Sequence, residues 1–256
     1  MTMHGGLDVV FDTWLSQPPG DLGLVTSAFK PLFTHISEMK LLEMATFWIL
    51  VTLGACLATS WPLPVERRQA NDCSLSYFAS IAPNGMRVER VQHVTTGFFV
   101  ETGNIGYPTF PTGLPELCAV IMNNTTANYR FGMFLPDDWN SRFLTIGSYS
   151  FLGGINWLEM GVGVKYGAVV LSTDTGHSSG AGDITWANTT QKQVNWAYQA
   201  LQGSIALGKV LAETYYSQKI AYSYFSGCST GGRQGLKHIQ LDPDQYGTYQ
   251  SALRPA

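Results

Sequence analysis

Residues 221–240 read AYSYFSGCSTGGRQGLKHIQ, and they constrain the fold more than any other stretch of the chain. Residues 221–225 are β-formers of strand length. From about residue 230 to 240 the pattern is that of an amphipathic helix, which Asp242-Pro243 ends. A chain that passes from strand to helix so abruptly needs small residues on both sides of the apex, so that the two elements can approach. Gly227 and Gly231 supply them in a G-x-S-x-G pattern, and Ser229 takes the apex in a strained conformation.

The preceding sequence supplies the rest of a sheet. Residues 117–122 (LCAVIM), 129–135 (YRFGMFL), 142–146 (RFLTI) and 167–172 (GAVVLS) are short runs of strand length. Residues 136–140 (PDDWN) form a turn between the second and third of them. Residues 86–99 (MRVERVQHVTTGFF) alternate in part, as an exposed strand does. Between residues 191 and about 216, Val194, Ala197, Tyr198, Leu201, Ile205, Leu207 and Leu211 recur at helical spacings. Gly203 and Gly208 weaken that helix without breaking it. After residue 129 the order is strand, strand, strand, long helix, strand, sharp turn, helix, which predicts an α/β sheet.

Hydrophobic residues make up 45% of the 256, enough for a substantial core, and charged residues only 13%. A net charge of −3 leaves no basic footprint for nucleic acid and no attraction to an anionic membrane surface. Residues 45–58 (ATFWILVTLGACLA) form an apolar run of fourteen residues. That is short of the roughly 20 needed to span a bilayer and fits a signal-peptide core of about 7–15. We therefore read 39–58 as a signal peptide started at Met39 and cleaved near Ala58 or Ser60, which leaves no stable membrane span. Residues 1–38 then read as an over-extended start. A genuine extension with a signal anchor, or a buried core helix, are the alternatives. Residues 59–70 read as a linker, and 71–256 as the domain.

Secretion implies disulfides and glycans. Cys56 would leave with the signal, so Cys73, Cys118 and Cys228 remain. Cys118 can tie its strand back to Cys73, which makes Cys228 the odd one. Asn123, Asn124 and Asn188 head N-x-[ST] sequons, and one of the adjacent pair at most is expected to be used.

A serine at the apex of such an elbow is a candidate nucleophile. The following helix aims its positive end at Ser229, and the Thr230 N–H becomes one oxyanion donor. The second donor is expected from a loop after an earlier strand. Gly147, heading 147–154 (GSYSFLGG), has that place in the order, with a plain Gly-rich connection as the alternative. An activated serine needs a base within hydrogen-bond reach. His238 lies nine residues on along the same helix, ~13 Å away by helix rise, and cannot reach. Asp174 and His177 precede the serine, against the Ser, Asp/Glu, His order of an α/β-hydrolase. His177 reads instead as a loop-ordering or substrate-side residue, and His93 as a strand residue without chemistry. No metal-ligand spacing occurs in the sequence.

Residues 224–235 (YFSGCSTGGRQG) resemble the nucleophile motif of the fungal tannase and feruloyl esterase family. Residues 139–144 (WNSRFL) and 173–177 (TDTGH) resemble two further stretches of it. The resemblance runs from about Cys73 to about Tyr246. It implies a secreted α/β-hydrolase fold with a large lid, acting on small aromatic esters of hydroxybenzoic or hydroxycinnamic acids. It implies that Ser229 is the nucleophile and that Cys228 is half of a disulfide to a cysteine beside the catalytic histidine. By the same resemblance the fold here is truncated after the elbow helix. The catalytic Asp and His, the lid, the lid's calcium and the C-terminal half of the sheet are then missing, and the chain is expected to be inactive. Two departures stand out: GSYS at 147–150 where the family reads closer to G-N-G-G, and a poor strand at 246–256. A non-catalytic secreted binding module, or pseudoenzyme fragment, is the alternative function.

Overall fold

The computed structural model describes residues 72–95 and 97–243. The expectations for the extension, signal peptide and linker, and for the poor strand at 246–256, lie outside the described residues. Within them β1 (Met86–Val94), β2 (Leu117–Asn124), β3 (Tyr129–Pro136), β4 (Arg142–Ile146), β5 (Val169–Thr173) and β6 (Tyr222–Ser226) pair into one sheet. Its order is β1-β2-β3-β5-β4-β6. The β1, β2, β3 and β5 pairings are antiparallel, whereas β4 runs parallel to both β5 and β6. The parallel half therefore presents the C-terminal ends of β4, β5 and β6 on one edge, where open α/β sheets place their sites.

Helices cover both faces. α1 (Leu75–Ile81) precedes β1, and α2 (Trp157–Val164) links β4 to β5. A longer helical run links β5 to β6: α3 (Thr190–Val194), a π turn (Asn195–Gln199) and α4 (Ala200–Tyr216). α5 (Thr230–Leu241) follows β6. Alternate strand residues point to opposite faces. Val120, Met122, Phe131, Met133, Phe143 and Leu171 meet Leu201, Ile205, Leu211 and Ala212 of α4 on one side. Ala119, Ile121, Phe134, Leu144 and Val170 meet Trp157, Met160 and Val164 of α2 on the other. Burial on both faces explains why β2, β3 and β5 are near-continuous apolar runs.

The glycines that weaken α4 as an isolated helix are what bring it close. A Cβ at Gly208 would fall 2.3 Å from Leu171 Cδ1, and one at Gly203 would fall 2.1 Å from the Tyr129 hydroxyl. Cys73 and Cys118 form a disulfide that ties the segment before α1 to β2. Arg130 of β3 bridges Glu89 (2.6 Å) and Glu101 (2.5 Å), and Glu101 also accepts from Trp157 Nε1 at 2.6 Å. One guanidinium thus joins β1, β3, α2 and the connection after β1.

Four local expectations change. β1 stops at Val94 rather than 99, and Gly97 takes φ +79°. The helix expected over 191–216 contains the π turn, which slips its period by one residue. α1 and α2 were not foreseen. α2 carries two glycines, but Asn156-x-x-Glu159 is a reciprocal cap: Asn156 Nδ2 donates to Glu159 Oε2 at 3.0 Å, and the Glu159 amide donates back at 3.4 Å. No helix among the described residues is long and apolar enough to cross a membrane.

Candidate active site

Ser229 stands between β6 and α5 with φ +52° and ψ −114°, outside the ordinary regions for an L-residue. It is exposed, and its hydroxyl makes no capping bond to its own helix. The Gly231 amide donates to Cys228 O at 2.9 Å and the Arg233 amide to Ser229 O at 3.0 Å, closing the first helical turn. A Cβ at Gly227 would lie 2.7 Å from the Gly231 carbonyl carbon, and one at Gly231 would lie 2.9 Å from Ser148 O. These are backbone contacts that cannot yield, so both positions require glycine. Thr230 occupies the first helical position, where the helix supplies its N–H with no partner. Cys228 is a half-buried thiol.

The loop after β4 lies against the elbow, with its amides already committed. Gly147 N–H donates to Ser226 O at 2.8 Å, extending the β4–β6 ladder. Ser148 N–H donates to Gln234 Oε1 at 2.9 Å, and Tyr149 N–H to the Tyr107 hydroxyl at 2.8 Å. The expectation that Gly147 supplies the second oxyanion donor is therefore corrected, because sheet pairing occupies that N–H. The Tyr149 hydroxyl bonds Glu159. Burial pushes the Tyr149 phenol up, and the Glu159 carboxylate beside it adds to the rise.

The loop after β5 is internally braced. Asp174 Oδ1 accepts from the amides of Arg130 (2.8 Å) and Gly176 (2.7 Å). Burial pushes this carboxyl up to about 7. His177 places Nε2 3.2 Å from Phe151 O and Nδ1 3.2 Å from Thr175 Oγ1, and its ring stacks on Trp186 at 3.8 Å. Burial lowers its pKa. These contacts fit a loop-ordering residue. His238 is buried on α5, and burial pushes it down to about 4. His93 on β1 pairs with Asp137, just past β3, at 3.0 Å.

The two other motif stretches turn out to be braces. Trp139 donates from Nε1 to Arg142 O at 2.8 Å and stacks on Tyr216 at 4.2 Å, while Asn140 Nδ2 donates to Tyr166 O at 2.7 Å. They set the turn that launches β4. Of the sequon residues, Asn188 is exposed. Asn123 Nδ2 is bound to Glu89 at 2.7 Å and Asn124 Nδ2 to the Tyr129 hydroxyl at 3.0 Å.

The sequence model of the family described as tannase and feruloyl esterase matches residues 118–250, from β2 past the elbow helix. The chain belongs to the tannase and feruloyl esterase family. Over 134 residues it is 34% identical to a probable feruloyl esterase B-1 of Aspergillus fumigatus, covering 51% of this chain and 25% of that protein. Over 193 residues it is 27% identical to feruloyl esterase C of Talaromyces stipitatus, covering 70% of this chain and 36% of the relative. The crystal structure of feruloyl esterase B from Aspergillus oryzae superposes with a TM-score of 0.60 at 29% identity, over 70% of this chain and 36% of that one. The tannin acyl hydrolase of Aspergillus niger shares the fold, with a TM-score of 0.51 at 23% identity over 68% and 35% of the two chains. The fold is thus the α/β-hydrolase type of this family. The chain spans between a quarter and about a third of the length of these curated relatives.

Two side chains of the family-like motif had no role assigned from sequence: Arg233 and Gln234. They are one turn into α5, and the signal was their adjacency to the elbow. Gln234 holds the β4 loop through Ser148, and Arg233 reaches the π turn, with Nη1 2.9 Å from Ala197 O and Nη2 3.2 Å from Trp196 O.

Proposed function

We propose that this chain carries the nucleophile and one oxyanion donor of a secreted carboxylic ester hydrolase acting on esters of aromatic acids. The observation that carries the reading is the backbone of Ser229. A non-glycine residue held at φ +52° and ψ −114°, outside even the left-handed helical region, exposed and at a helix N-terminus, stores strain of about 1–3 kcal/mol. Family membership and relatives named feruloyl esterase support the same chemistry.

In this reading Ser229 Oγ attacks the ester carbonyl, and the Thr230 N–H faces the oxygen as it becomes negative. A histidine takes the serine proton and returns it to the leaving alcohol, and water then releases the acid. That histidine and its orienting carboxylate come from sequence other than residues 72–243. His177 is bound into its loop, and His238 lies more than two turns along α5 from the serine. Cys228, next to the nucleophile, is proposed to pair with a cysteine beside that histidine. The Cys73–Cys118 disulfide and the exposed Asn188 sequon support an extracellular, glycosylated product. Among the described residues no three His, Cys, Asp or Glu cluster as metal ligands.

The test is covalent. The chain is treated with a fluorophosphonate, with imidazole supplied as an external base in place of the histidine that residues 72–243 do not provide, and its peptides are mapped by mass spectrometry. Hydrolysis of methyl ferulate and methyl gallate is followed in parallel. We expect one adduct, on Ser229, lost in Ser229→Ala. Turnover by the 256-residue chain should stay several orders of magnitude below that of a complete triad. Sustained hydrolysis that survives Ser229→Ala, or labelling of another serine with Ser229 untouched, would overturn the reading.

A further inference from the structure

The strained apex persists only if its surroundings over-determine it. Gln234 supplies one constraint, toward the β4 loop. The other lies on the opposite flank, at the π turn. A π turn inserts one residue into a helix and is frequent at functional sites. Here Ala200 N–H reaches back to Asn195 O, and the neighbouring carbonyls of Trp196 and Ala197 accept from outside the helix. Asn195 anchors the turn to the β2–β3 connection, donating from Nδ2 to Ala127 O at 2.7 Å and Asn128 O at 3.2 Å.

Arg233 fills that outward-facing site. Its two terminal nitrogens donate to the two carbonyls, and its guanidinium carbon lies 4.2 Å from the Trp196 ring centre. The planar fork and flat stack are features that arginine has and lysine lacks. Trp196 in turn stacks on Phe151 of the β4 loop at 5.2 Å. The backbone N–H of the same Arg233 holds the Ser229 carbonyl. One residue therefore joins the apex to the π turn, and through Trp196 to the β4 loop.

We infer that Arg233 is a positioning residue for Ser229, acting through its double bond to the π turn and its stack on Trp196. The inference rests on the reading of Ser229 as nucleophile, and its test separates the two. In the full chain, Arg233→Met and Arg233→Lys are compared with the parent by amide hydrogen exchange and by the rate of fluorophosphonate adduct formation with imidazole supplied as base. Loss of two charge-assisted bonds should speed exchange in peptides covering 226–235 about tenfold or more. Peptides from β3 and β5 should be unchanged, and Arg233→Lys should fall between parent and Met. Adduct formation should slow in the same rank order at matched melting temperature. Unchanged exchange over 226–235 in both variants, or equal loosening of elbow and sheet, overturns the inference. If the parent forms no Ser229 adduct even with imidazole supplied as base, the nucleophile reading fails, and the exchange comparison still decides whether Arg233 clamps the elbow.

Discussion

Replacing Asp174 by Asn separates the two things its carboxyl does in the loop after β5. Asn keeps an oxygen to accept from the Arg130 and Gly176 amides but has no proton to lose. Asp174 is 4% exposed, and the Arg130 guanidinium, the cation that favours its charged form, is already shared between Glu89 and Glu101. Burial therefore dominates, and the pKa rises from 3.8 to about 7. A carboxyl whose folded pKa lies above its unfolded value binds its proton more tightly when folded. Its stabilising contribution is thus present at low pH and is lost as pH rises through about 4 to 7. Linkage between those two values is worth roughly 3 kcal/mol at pH 5 and almost nothing at pH 7.5. The stability of the parent minus that of Asp174→Asn should therefore fall by roughly 3 kcal/mol over that interval. Urea unfolding followed by circular dichroism at pH 5, 6, 7 and 7.5 measures it, and taking the difference removes the other titrating groups. A difference that is flat to within about 0.5 kcal/mol would refute the reasoning. One that grows with pH would mean that Asp174 is held ionised by Arg130.

Ser229→Gly should stabilise the chain by about 1 kcal/mol, because glycine adopts φ +52° without strain, while abolishing the fluorophosphonate adduct. A destabilised Ser229→Gly would remove the strain argument. Gly227→Ala places a methyl 2.7 Å from the Gly231 carbonyl carbon and should cost about 2–3 kcal/mol, read as a lower melting temperature. Full stability in that variant would show that the elbow has room to spare. Cys73→Ser together with Cys118→Ser opens a loop of 45 residues and should lower unfolding free energy by about 4 kcal/mol. Reducing agent should move the urea midpoint of the parent and leave the double variant unmoved.

Much of this was legible before any coordinates. Buried strands read as unbroken apolar runs because both faces of the sheet are covered, and β4 was bounded to the residue. The elbow was legible because a strand-to-helix turn tolerates so few residue types, and Gly227 and Gly231 sit where backbones touch. The π turn left no periodic signature, since one inserted residue shifts a 3.6-residue pattern too little to register among Val194, Ala197 and Tyr198. α2 was hidden by Gly161 and Gly163, which local propensity counts against a helix.

What the sequence determined by itself was local: which segments are strands, where the chain must turn, and that Ser229 is the residue at the apex. These depend on steric preferences within a few residues. What only the tertiary structure decided was the use of each polar group across the chain. The Gly147 N–H is occupied because β4 happens to pair with β6, and Gly208 is needed because α4 crosses Leu171. Arg233 matters because residues 36 and 37 positions earlier turn two carbonyls toward it. Such partnerships join elements far apart in sequence, so no local pattern records them. They exist only once the sheet has brought its neighbours together.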